Sequence, residues 1–127
     1  MYDVASFLHY YGQMYQRTNR LINCIPDKEF DWKPAPGKFS FADVIRHLAA
    51  IERYMFAENV QGKPSKYPGH DASLADGAES VKAYWQQKHL ETVEVFSCLT
   101  EERLNQKCKT PAGTEITVWK WLRAMLE

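Results

Sequence analysis

Four histidines are the side chains of this 127-residue chain best suited to binding a metal ion or moving a proton near neutral pH: His9, His47, His70 and His89. A catalytic metal centre needs about three protein ligands, and two of them often lie four residues apart on one helix. No H-x-x-x-H spacing occurs in this sequence. From its spacing, His47 is therefore better explained as an ordinary partly buried histidine than as a metal ligand. The role of a ligand stays open.

His47 belongs to a predicted helix that begins after Ser40, where Ser40 and Asp43 resemble a capping box. At about 100° per residue, His47 falls on the flank of the apolar stripe and Glu52 falls near its centre. A carboxylate that faces a core needs a partner. A second metal ligand could come from His89 on a later helix, and a third from Glu52. The predicted stripe consists of Phe41, Val44, Ile45, Leu48 and Met55.

The three cysteines, Cys24, Cys98 and Cys108, are odd in number, lie far apart and show no C-x-x-C spacing. This pattern indicates reduced thiols that serve as small apolar residues in a cytoplasmic protein. A cysteine nucleophile needs a base and an activating environment, and nothing near these residues in the sequence offers either. A hydrolase with paired carboxylates stays open, although mixed surface charges explain the acidic content.

Composition narrows the class of protein. The chain carries 16 basic and 16 acidic residues and has no formal net charge. Because no basic stripe follows the sequence, nucleic acid is not an expected partner. There is no apolar run of about 18 residues and no signal-peptide pattern, so no membrane association is expected. The length predicts a single domain over residues 1–127.

The helices and loops that position His47 can be predicted from the spacing of apolar residues and from the prolines and glycines that interrupt helices. Apolar residues at helical spacing predict a first helix over 2–25, which places His9 on its solvent side, and a third helix over 78–98. Prolines and glycines predict loops over 26–39 and 60–77, with Phe30, Trp32 and Phe39 packing on the bundle end. A small hairpin is predicted around residues 111–113, and a last helix begins near Thr117. The predicted fold is all-α, a four-helix bundle of up-down-down-up type with long connections.

Several segments together resemble the DinB superfamily of metalloproteins. The resemblance covers nearly all of the chain from the first helix, and the combination W-x-P-x-x-G-x-x-S followed by H-L is moderately specific. It is carried by residues 31–40 (DWKPAPGKFS), 44–48 (VIRHL), 52–54 (ERY), 110–114 (TPAGT) and 117–122 (TVWKWL).

The resemblance implies a four-helix bundle that is often a homodimer and that holds a divalent metal, zinc or nickel-like. His47 matches the metal-binding histidine of the second helix. The two other family ligands, an H-x-x-x-H pair, have no counterpart here, because in the family they follow a segment like residues 122–127, where this chain stops. The resemblance therefore predicts that the fourth helix is truncated at Glu127, or that the metal triad has been lost.

The resemblance also limits the function. Some family members are metal-dependent transferases that use a small-molecule thiol such as bacillithiol or mycothiol with an electrophilic substrate, and many have no assigned reaction. We therefore expect a metal-dependent thiol S-transferase or hydrolase, in which the metal would hold the thiol as thiolate. The alternative is a non-catalytic, stress- or DNA-damage-inducible bundle that acts as a binding or interaction protein.

Overall fold

A computed structural model describes residues 3–127, and most of them lie in helices. This confirms the predicted all-α fold. The predicted helix start at Tyr2 lies outside the described residues. The regular elements are α1 (Val4–Ile22), a short 3₁₀ turn (Asp27–Glu29), α2 (Phe41–Ile51), a π-helical turn (Glu52–Phe56), α3 (Ala57–Val60), α4 (Ala78–Ser97), α5 (Glu101–Asn105), β1 (Lys107–Lys109), β2 (Glu115–Thr117) and α6 (Val118–Leu126).

Helix α2 starts at the predicted cap. The Ser40 Oγ accepts a hydrogen bond from the Asp43 amide at 2.9 Å, and Asp43 Oδ2 accepts one from the Ser40 amide at 3.0 Å. These reciprocal bonds satisfy two amides that have no partner within the helix. The sequence signal for the start of this helix is therefore confirmed.

The predicted apolar face of α2 is right at Ile45, which is buried, and at Leu48, which packs on the core, but it is wrong at Phe41 and Val44. Phe41 and Val44 are 38% and 42% exposed, whereas Ala42 and Ala49 are buried against α4. Small side chains allow two helices to approach closely. Arg46 also shares the buried face, because Asp43 and two main-chain carbonyl oxygens satisfy its guanidinium. Hydrophobicity alone cannot predict a face made of alanines and a paired arginine.

The helix continues from α2 into α3 through the π-helical turn. There the Ala57 amide bonds the carbonyl of Glu52, five residues earlier, instead of four. Such a turn inserts one residue and rotates the faces that follow, and it is frequent at functional sites. Glu52 is the first residue of this turn.

The segment 61–77 has no regular structure, as predicted, but it is tied to the helix before it. The Lys66 amide donates to the Tyr54 carbonyl at 2.7 Å. Arg46 donates to the carbonyls of His70 and Ala75 at 2.8 and 2.9 Å. These bonds fix the loop along α2, beside the turn that carries His47.

The remaining predicted elements are present. Strands β1 and β2 pair antiparallel with Cys108 opposite Ile116, which confirms the predicted hairpin. Helix α6 follows it directly. No helix within residues 3–127 has the length and apolar character needed to cross a lipid bilayer.

The core consists of two clusters of buried side chains. One surrounds Phe96 at the α5, hairpin and α6 end, and its members are Phe7, Tyr11, Ala57, Val60, Phe96, Leu104, Cys108, Val118 and Leu122. The other surrounds Trp85 at the α2 and 3₁₀-turn end, and its members are Ile22, Phe30, Ala42, Ile45, Ala49, Val81 and Trp85.

Candidate functional site

His47 lies half-buried on α2 and faces the fixed loop. Its Nδ1 and the hydroxyl oxygen of Tyr67 share a hydrogen bond at 2.5 Å, and the Tyr67 ring meets the imidazole edge-on. Within residues 3–127, the other imidazole nitrogen, Nε2, makes no hydrogen bond. One nitrogen of His47 is therefore fixed by the protein, and the other is free for a ligand.

Two effects keep the His47 imidazole uncharged at neutral pH. Burial lowers its pKa from the ordinary value of 6.5, and repulsion from His70 lowers it further. The ring centroids of the two histidines are 6.3 Å apart. A neutral imidazole is the form that binds a metal ion or accepts a proton. His47 is thus in the required form near pH 7.

The surroundings of His47 are aromatic and open to solvent. Phe39 lies 5.8 Å from His47 and 4.1 Å from His70, measured between ring centroids. Phe39 is 41% exposed and Tyr67 is 36% exposed. Both rings beside the His47 imidazole are therefore accessible to solvent.

The prediction that three loop aromatics pack on the bundle end is right for one of them. Phe30 is buried in the core, but Phe39 and Trp32 are exposed. Trp32 stacks on Phe41 with ring centroids 5.5 Å apart. Because α2 turns its alanine face inward, Phe41 points outward and holds Trp32 at the surface.

Metal-ligand donors near His47 are too few for a metal centre made from the described chain. Within residues 3–127, no three His, Cys, Asp or Glu side chains come together in a way that could hold a metal ion. The candidates Glu52 and His89 have no hydrogen bond or ring contact with His47. The described residues do not by themselves fit the metal that the resemblance implies.

Glu52 and His89 instead lie around the buried Tyr11, and both are partly exposed. The Tyr11 hydroxyl donates a short hydrogen bond to Glu52 Oε1, which supplies the partner that the inward carboxylate needs. His89 stacks on Tyr15 with ring centroids 3.6 Å apart and lies 4.9 Å from the Tyr11 ring. Its Nδ1 is buried and has no hydrogen-bond partner within the described residues.

This internal cluster titrates unusually. Burial raises the pKa of Glu52 to about 7, against an opposing effect of the Tyr11 hydrogen bond. Burial lowers the pKa of His89 to about 4. Burial, followed by the nearby Glu52 charge, raises the pKa of Tyr11. Between about pH 4 and 7 the cluster holds a protonated carboxyl and a neutral imidazole, so it adds no net charge to the bundle.

His47, His89 and Glu52 could be identified as candidates in the sequence, but the sequence did not place Tyr67 and His70 beside His47. Tyr67 and His70 belong to a proline- and glycine-rich loop whose path depends on the Arg46 side chain. No periodic pattern in the sequence indicates that path. His9 is exposed on α1, as predicted, and takes no part in the site.

Comparisons with known proteins agree with the fold. The family model of the DinB superfamily matches residues 10–127. No curated protein matches the sequence. A crystal structure of a DinB-like protein from Bacillus cereus ATCC 10987 is similar at a TM-score of 0.79 and 17% identity, covering 99% of this chain and 83% of that one. A crystal structure of a DinB-like protein from Bacillus subtilis is similar at a TM-score of 0.73 and 18% identity, covering 95% and 79%. The structural likeness shows the fold, and the match over residues 10–127 shows that this chain belongs to the DinB superfamily.

Proposed function

We propose that this chain is a DinB-type metal-dependent protein in which His47 binds a divalent ion, zinc or nickel-like, through Nε2. The observation that supports the proposal is that only one of the two imidazole nitrogens forms a hydrogen bond within the protein. Nδ1 is held by Tyr67, whereas Nε2 has no partner within residues 3–127. Histidine ligands of metal ions are commonly oriented by such a bond to the second nitrogen.

The proposal requires ligands beyond those described. Because residues 3–127 contain no group of three suitable side chains, the remaining ligands must come from outside them. The H-x-x-x-H pair that the resemblance implies would supply two imidazoles, which together with His47 make the three-ligand set of a catalytic centre. No role in metal binding is proposed for Glu52 or His89.

The proposed reaction class is thiol S-transfer or hydrolysis, with a small-molecule thiol and an electrophile as the expected substrates of a transferase. In this site His47 is a ligand and not a general base. When Nε2 binds the metal, Nδ1 stays protonated and donates a hydrogen bond to the Tyr67 hydroxyl oxygen. Phe39 and Tyr67 offer partly exposed rings that can contact the apolar part of a substrate.

Metal content tests the proposal directly. The protein, including any residues that follow Glu127, is loaded with zinc, desalted and analysed for bound metal. We expect about one equivalent per chain, and less than about a tenth of an equivalent for His47→Ala. His9→Ala removes an exposed histidine from α1 and serves as the matched control, with occupancy unchanged. Full occupancy in His47→Ala, or an empty unmodified protein, would contradict the proposal.

A non-catalytic binding function is the second candidate. It is favoured by the exposed apolar side chains that border the His47 region, namely Trp32, Phe39, Phe41, Val44 and Tyr67. Exposed apolar patches of this kind often mark binding surfaces. A protein that holds no zinc, yet loses binding of an aromatic ligand when Phe39 is replaced by alanine, would favour this function over the metal-dependent one.

A further inference from the structure

A cavity lies at the other end of the helix that carries His47. It is an open cavity bordered by the last turn of α3, the start of the following loop, Arg103 of α5 and the hairpin, and its volume is about 720 Å³. Asn59 on its wall is separated from His47 by about 18 Å along the helix, at about 1.5 Å per residue. The cavity is therefore distinct from the proposed metal site, and it falls in the size range of small-molecule pockets, about 300–1,000 Å³.

The cavity is lined by more basic than acidic side chains. Lys63, Arg103, Lys107 and Lys109 line it, and Glu115 is the one acidic residue that does so. The chain as a whole is balanced, with 16 basic and 16 acidic residues. The basic lining is therefore a local concentration and not a reflection of a basic protein. Glu115 lies opposite Lys109 in the hairpin, and its negative charge offsets only part of the positive charge of the lining.

Arg103 is held in place without a carboxylate partner. Its Nε donates to the Val60 carbonyl at 2.9 Å, and its Nη1 donates to the Lys107 carbonyl and the Gln106 side chain, both at 3.2 Å. Within residues 3–127 it forms no ion pair, whereas Glu58 nearby is already paired with Arg53 at 2.6 Å. A guanidinium fixed by carbonyl oxygens keeps its full charge for an incoming anion.

The wall opposite the hairpin is also fixed. Asn59 is 2% exposed, its Nδ2 donates to the Lys63 carbonyl at 3.1 Å, and its Oδ1 accepts from Trp121 Nε1 at 3.2 Å. Gly62 has φ of +80°, a conformation that glycine adopts without strain, and this turns the chain so that Lys63 enters the lining. The cavity is thus a preformed feature of the fold.

Cys108 adds an apolar, unreactive patch to the same lining. Cys108 is 5% exposed, and burial raises the pKa of its thiol, so the thiol stays protonated near neutral pH. The lining therefore combines several cations with a neutral surface and presents no strong nucleophile.

We propose that this cavity binds a small phosphate-bearing molecule, with the phosphate oxygens on Arg103, Lys63, Lys107 and Lys109. The Nη2 group of Arg103, which forms no hydrogen bond within residues 3–127, can donate to a phosphate oxygen, and the lysines supply further positive charge. The volume exceeds what a single phosphate needs, so the ligand carries an organic part or a second phosphate. This inference is independent of the metal site at His47.

Isothermal titration with inorganic pyrophosphate tests this inference, in low-salt buffer that contains EDTA to exclude binding through metal ions. We expect one site per chain, with affinity that falls as salt is added. The double variant Lys107→Glu/Lys109→Glu should weaken binding by at least about tenfold, because two exposed cations of the lining become anions. Arg103 is left unchanged in this test, since its bonds to carbonyl oxygens also support the fold.

The matched control is Lys33→Glu/Lys38→Glu, which makes the same change of charge in the exposed loop before α2. Its affinity should stay within about twofold of the unmodified protein. Equal weakening in the two double variants, or no heat of binding at millimolar pyrophosphate, would overturn the inference. His47→Ala should leave binding unchanged, and loss of binding in that variant would place the anion at the other site.

Discussion

Replacing Glu52 by glutamine is expected to make the protein more stable at pH 8, by up to about 3 kcal/mol. The folded protein raises the pKa of this carboxyl from 4.5 to about 7, and each pKa unit corresponds to about 1.4 kcal/mol. Above pH 7 the native state must hold a buried charge that the unfolded chain exposes to water. Glutamine keeps an oxygen that can accept the Tyr11 hydrogen bond and carries no charge.

The sign of the effect depends on pH. Between pH 4.5 and 7 the folded protein binds a proton at Glu52 that the unfolded chain does not, so this group makes stability fall as the pH rises. Below pH 4.5 both states are protonated and the penalty is absent. The stability difference between Glu52→Gln and the unmodified protein should therefore be near zero at pH 4.5 and largest at pH 8.

Urea unfolding at several pH values measures this difference. Glu94→Gln replaces an exposed carboxylate on α4 and should change stability by less than about 0.5 kcal/mol at each pH. A Glu52→Gln variant that is less stable than the unmodified protein at pH 8, or a difference that does not vary with pH, would show that Glu52 is not held as a buried carboxyl.

His89 acts in the opposite direction in the same cluster. Its pKa is lowered from 6.5 to about 4, so the unfolded chain binds a proton there that the folded protein does not. Its contribution makes stability rise between pH 4 and 6.5. The two residues therefore offset one another in the unmodified protein, and Glu52→Gln should uncover the rise that His89 causes.

Replacing Phe96 by alanine is expected to cost about 3–5 kcal/mol of stability, the range found for large-to-small changes at buried aromatic positions. Phe96 is fully buried, and its ring meets Phe7 edge-on at 5.3 Å and Tyr11 at 5.7 Å. Five other elements, α1, α3, α5, β1 and α6, contribute to its cluster, so the cavity left by the ring cannot close through a local shift.

The matched control for this change lies on the same helix. Leu90 is 61% exposed, so Leu90→Ala should change stability by less than about 0.5 kcal/mol. Urea unfolding monitored by helical circular dichroism gives both values. A loss below about 1 kcal/mol for Phe96→Ala would mean that this cluster is not the centre of the core.

Much of the fold could be predicted because local signals agreed with the tertiary structure. The Ser40 cap, the hairpin turn and the proline-rich loops each carry a signal within a few residues. The face of α2 could not be predicted in the same way. Its buried side depends on close helix packing through Ala42 and Ala49, and on partners for Arg46 that come from a distant loop.

The residues of the candidate site likewise differ in whether the sequence could predict them. His47 could be found because it lies on a helix with clear periodicity and a recognisable sequence context. Its partner Tyr67 could not, because the loop between α3 and α4 has no period and follows a path fixed by hydrogen bonds to α2. The Tyr11 bond to Glu52 joins residues 41 positions apart, so only the need for a partner was predictable.

Nitrogen chemical shifts of the histidine side chains during a zinc titration test the role of His47 most directly. The measurement uses the protein with any residues that follow Glu127. We predict that about one equivalent of zinc changes the Nε2 signal of His47 while Nδ1 stays protonated, with His9 unaffected. Zinc that binds without changing the His47 signals would contradict the proposal that His47 is a metal ligand.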